Sequence, residues 1–89
     1  MTEKQKLDEA LKQFAQAMAA RLSEKRRDGF TGWDDGFNSA WDMEHRMVDK
    51  VLRVSKEQEQ CDPQDLVDIA NFAMFLHHAV TANANKRGA

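Results

Sequence analysis

Apolar residues in the first part of the chain recur every three or four positions: Leu7, Leu11, Phe14, Met18 and Leu22. That spacing lines them along one side of a 3.6-residue helix and predicts a helix from about Glu3 to Arg27. Thr2 and Gln5 stand at capping-box spacing, so each can satisfy a free amide of the first turn. Arg21, Lys25, Arg26 and Arg27 crowd the C-terminal end, and Gly29 offers a stop. A second helix is expected from about Asn38 to Glu59, capped by Asn38 or Ser39. Its apolar face holds Trp41, Met47, Val48, Val51, Leu52 and Val54, with Glu44 near the middle. Arg46, Asp49, Lys50 and Arg53 fall opposite on the wheel, and His45 and Asp42 at the margin. A third helix is expected to start with Asp62 as cap and Pro63 at the first helical position, and to run to about Ala82.

The single proline and the lack of alternating strand patterns predict an all-α chain. Short connections between three helices predict a small antiparallel bundle. The connector Asp28–Gly36 is rich in Gly and Asp, yet Phe30 and Trp33 are too apolar for a free linker and should fold back onto the helices. Residues 1–82 then form one domain, and the polar tail 83–89 is expected to fray.

The third helix is apolar on nearly every side. Val67, Met74 and Phe75 point away from the stripe Leu66, Ile69, Ala70 and Ala73. Both faces need cover, most simply from another copy of the chain, so a homo-oligomer, dimer or tetramer, is expected to complete the bundle.

Composition narrows the classes. The 89 residues are 42% hydrophobic and 31% charged, which suits one small folded domain. A net charge of −2 gives no global drive toward duplex nucleic acid or an anionic membrane. No stretch reaches the roughly 20 apolar residues of a membrane span. The N-terminal stretch Glu3–Lys6 is charged rather than apolar, and Cys61 stands alone. These features suggest a cytoplasmic protein.

The candidate chemistry is acidic. Asp65 and Asp68 are at i and i+3, so their carboxylates share one helical surface. With Glu44 in the same seam, three carboxylates would converge on a hard cation such as Mg²⁺. His45 and Asp49 form an i, i+4 pair that could add a ligand or a proton carrier. Each residue also has a plain structural reading. Asp65 faces the positive end of its own helix, Asp68 could pair with Arg46 or Arg53, and Glu44 could snorkel or pair with an arginine. His77 and His78 point about 100° apart and cannot jointly hold one metal. Cys61 lacks any partnering motif. Arg21 and Lys25 suit either the negative end of their helix or the phosphates of a nucleotide, with Trp33 stacking on a base or serving as an apolar anchor.

Taken in order, the chain has a long first helix ending in basic residues, then Gly32-Trp33, then an acidic second helix. An Asp-Pro start and Asp-Leu-Val-Asp-Ile-Ala-Asn-Phe-Ala-Met over Asp65–Met74 follow. This resembles the small MazG-like proteins of phages and prophages, members of the all-α nucleotide pyrophosphohydrolase superfamily, over roughly residues 7–80. The resemblance implies an oligomeric helical bundle that cleaves (d)NTPs to the monophosphate and pyrophosphate, with Mg²⁺ held by acids on two helices. The usual Glu-x-x-Asp maps onto Asp65 and Asp68, with Asp in first place. The usual Glu-Glu-x-x-Glu is absent: the nearest spacing, His45 to Asp49, keeps an acid only at its end. Metal ligands are therefore expected among Glu44, Asp49, Asp65 and Asp68, with His45 as a possible addition, and no catalytic residue is assigned. Two functions follow, a Mg²⁺-dependent pyrophosphohydrolase with a degenerate site, or a non-catalytic helical protein that binds a host protein or a nucleotide.

Overall fold

The computed structural model describes residues 1–31, 33–34 and 37–88, and for 37–39 and 84–88 the backbone path alone. Among these residues lie three α-helices, α1 (Glu3–Arg27), α2 (Phe37–Glu57) and α3 (Pro63–Gly88), with a 3₁₀ turn Gln58–Gln60 and no strand.

Helix α1 begins as its capping box dictates. The Gln5 amide donates to Thr2 Oγ1 at 3.2 Å, and the Thr2 amide to Gln5 Oε1 at 2.8 Å. It ends in a Schellman turn: the Gly29 amide donates to the Arg26 carbonyl and the Phe30 amide to the Lys25 carbonyl. Gly29 sits at φ 89°, a left-handed conformation that a glycine adopts without strain. Helix α2 stops at Glu57, short of the expected Glu59, because Gln58 turns to φ 51° and starts the 3₁₀ turn. Asp62 caps α3, accepting the Gln64 amide at 2.9 Å. Helix α3 continues past Ala82 to Gly88, through the stretch expected to fray. The sequence there contains alanines and basic residues, good helix formers, the latter at the favourable negative end.

Helix α3 is the centre. It packs on both α1 and α2, which do not pack on each other among the described residues. Partner residues run in opposite chain directions along each pair: Arg21 meets Asp68 and Met18 meets Asn71, while Arg53 meets Asp65 and Lys50 reaches Asp68.

The face α2 turns to α3 differs from the expected one. Ala40 and Met43 are buried and Met47, Lys50 and Val54 half-buried, at spacings of three and four. Trp41 and Leu52 remain 58% and 63% exposed. Lys50, expected outside, belongs to the inner face. The wheel weighed only apolar character, and the inner face carries a charge. Phe30 and Trp33 of the connector do fold back. Trp33 stacks on Phe75 with ring centroids 4.9 Å apart and meets His78 edge-on, and Phe30 stacks on Phe75 at 5.9 Å.

Candidate functional site

Helix α3 turns its polar residues inward. Asp65, Asp68 and Asn71 are 6%, 5% and 4% exposed, whereas Leu66 and Met74 are 43% and 40% exposed. Buried carboxylates need partners, since desolvation of an unpaired charge costs several kcal/mol. Each flanking helix supplies them. From α1, Arg21 Nε donates to Asp68 Oδ1 at 3.0 Å, and its Nη1 donates to Glu24 at 3.0 Å. From α2, Lys50 Nζ lies 3.3 Å from Asp65 Oδ1 and 3.2 Å from Asp68 Oδ2. Arg53 Nη1 stands 3.6 Å from Asp65 Oδ2. Every carboxylate oxygen of the two aspartates thus faces a cation. The group ties all three helices together at one level.

Asn71 continues the polar seam. Its Nδ2 donates to the Met18 carbonyl at 3.4 Å. Its Oδ1 is buried without a hydrogen-bond partner among the described residues, at a cost of about 1–3 kcal/mol.

Burial pushes the Asp68 carboxyl up, but the hydrogen bonds and charges of Arg21 and Lys50 outweigh it and hold the group below the ordinary carboxylate range. The Asp68 hydrogen bond in turn raises Arg21, against the opposing effect of burial. For a carboxyl whose folded value is depressed, the stabilisation is complete above its unfolded value, near 3.9, and fades as pH falls through the folded value. Urea unfolding from pH 7 down to pH 2 should therefore show the wild-type advantage over Asp68→Asn holding level above about pH 5 and shrinking below about pH 4. An advantage constant across that acid range would separate Asp68 from the acid response.

The other sequence candidates lie elsewhere. Glu44 is half-buried on α2, with Nδ1 of the adjacent, exposed His45 3.9 Å from its carboxylate. Asp49 is exposed. Arg46 pairs with Asp42 at 3.1 Å rather than with Asp68. Among the described residues, no three His, Cys, Asp or Glu side chains are grouped to hold a metal ion. As arranged, the donor set does not fit Mg²⁺, because the oxygens of Asp65 and Asp68 are already matched by protein cations. Arg21 and Lys25 line a recess of about 50 Å³ with Arg46, Asn71, Phe72 and Phe75. Nucleotide-sized ligands occupy pockets of roughly 300 Å³ or more, so this recess admits only a few waters or a small ion. Trp33 is not part of its lining and spends its ring on Phe75 and His78.

Lys50 is the residue that sequence reasoning missed. The signal was available: Lys50 stands seven residues after Met43 and three after Met47, on the side that meets α3. No helix among the described residues is long and apolar enough to cross a membrane. Comparison with protein-family models, curated proteins and solved structures finds no match to this chain.

Proposed function

We propose that this chain is a non-catalytic, MazG-like helical protein that acts by binding, as a homo-oligomer that engages a protein partner. The observation that carries this reading is the state of its acids. A pyrophosphohydrolase of the superfamily it resembles needs carboxylates free to hold Mg²⁺, and here Lys50, Arg21 and Arg53 match those of Asp65 and Asp68.

The surface supports self-association. The chain exposes 6928 Å², against roughly 5,300 Å² for a compact monomer of its mass. The excess of roughly 1,600 Å² per protomer falls within the range buried by obligate dimers. Its radius of gyration of 15.1 Å likewise exceeds the roughly 12 Å of a compact domain of this length. Much of the excess is on α1, which buries no residue and leaves Leu7 and Leu11 61% and 69% exposed. Most helical stability comes from packing of an apolar face, and the stripe of α1 left open here is one a second copy, always present, can cover. The stripe Trp41–Val48–Leu52 on α2 then suits an amphipathic helix of a protein partner, with Trp41 as anchor.

Pyrophosphate release from a panel of dNTPs and NTPs, with and without Mg²⁺, tests the reading. No release above background is expected from any of them. Mg²⁺-dependent release that disappears in Asp68→Ala would overturn it in favour of the hydrolase.

A further inference from the structure

We infer that Lys50 is a built-in counter-ion that occupies the cation position between Asp65 and Asp68 and closes this acidic pair to divalent metals. The inference deepens the binding reading and rests on it. Lys50 Nζ is almost equidistant from an oxygen of each carboxylate, 3.3 Å from Asp65 and 3.2 Å from Asp68. That is the position of a bridging cation: one positive centre between two acids a helical turn apart. The side chain reaches it from the inner face of α2 and is only 24% exposed, so the ammonium is held by packing as well as by charge.

Charge balance strengthens the case. Among the described residues, Asp65, Asp68 and Glu24 contribute three negative charges, and Arg21, Lys50 and Arg53 three positive ones, all joined by the contacts above. An incoming divalent ion would meet carboxylates already matched by protein cations and would have to expel a lysine. Removing Lys50 changes both conditions. Asp65 Oδ1 and Asp68 Oδ2 lose their shared partner, the cluster loses one positive charge, and a space the length of a lysine side chain opens beside two buried carboxylates. Hard cations that bind oxygen ligands, such as Mg²⁺, Mn²⁺ and Ca²⁺, fit that description.

The test compares the full wild-type chain with Lys50→Ala in thermal shift, adding MgCl₂, MnCl₂ or CaCl₂ against NaCl of equal ionic strength. The wild type should not respond. Lys50→Ala should melt lower in NaCl and regain about 5 °C with at least one divalent ion at millimolar concentration. Adding Asp68→Asn to Lys50→Ala should abolish the gain. If Lys50→Ala does not fold in NaCl, Lys50→Gln keeps most of the stem and is judged by the same criterion. A divalent response in the wild type equal to that of the variant would overturn the inference. So would a folded Lys50 variant that ignores all three ions. A silent variant would leave the outcome of the pyrophosphate-release assay untouched, so the failures of the two readings are distinguishable.

Discussion

Asp68→Ala is expected to lower the unfolding free energy by about 3 kcal/mol, in EDTA as much as in Mg²⁺. Asp68 is 5% exposed and takes Arg21 Nε on one oxygen and both Lys50 Nζ and Arg21 Nη2 on the other. Truncation leaves two cations facing each other across a cavity. Removing one member of a buried ion pair costs about 3–5 kcal/mol, mostly through the charge left behind. The lower end applies here, because Arg21 and Lys50 are each 24% exposed and retain some water. A chain of this length has a total stability of about 4–13 kcal/mol, so the loss is a large share of it. With a urea dependence near 1 kcal/mol/M, the midpoint should fall by about 3 M. A midpoint that moves only when Mg²⁺ is chelated from the wild type would show that a metal, and not the ion-pair cluster, holds this seam.

How much of this was legible in the sequence depends on what each signal measures. Local chemistry was readable: the Thr2–Gln5 box, the stop at Gly29 and the Asp62–Pro63 start all act within a few residues and appear as expected. The polar seam of α3 was visible as an anomaly, two acids in an apolar helix, but its partners were not. Partner choice depends on which faces meet, and the faces of α2 were misjudged because Trp41, Val51 and Leu52 dominate its apolar moment. Those residues stay exposed, while Met43 and Met47 take Lys50 inward with them. The same misreading applies to α3, where Leu66 and Ala73 of the expected stripe are exposed and Asp65, Asp68 and Asn71 are buried. In α2 the most apolar side is left uncovered, whereas α3 buries Phe75 and exposes Leu66 and Met74.

Leu11→Ala should weaken self-association about a thousandfold without unfolding α1. Leu11 is 69% exposed in the single chain and stands mid-stripe between Leu7 and Phe14. In a two-fold interface each copy contributes the same residue, so one substitution removes two buried side chains. At about 0.8 kcal/mol per methylene, the loss per dimer is roughly 5 kcal/mol, or between three and four powers of ten in Kd. Alanine is the best helix former, so the effect falls on the interface rather than on the helix. Light scattering across a dilution series reads the change directly: the wild type should hold at a multiple of 10.2 kDa where Leu11→Ala dissociates to a single chain. The wild-type melting temperature should also rise with protein concentration, because assembly is linked to folding by mass action. A wild type of 10.2 kDa at every concentration, with a constant melting temperature, would leave the open faces of α1 and α2 to a partner other than a second copy.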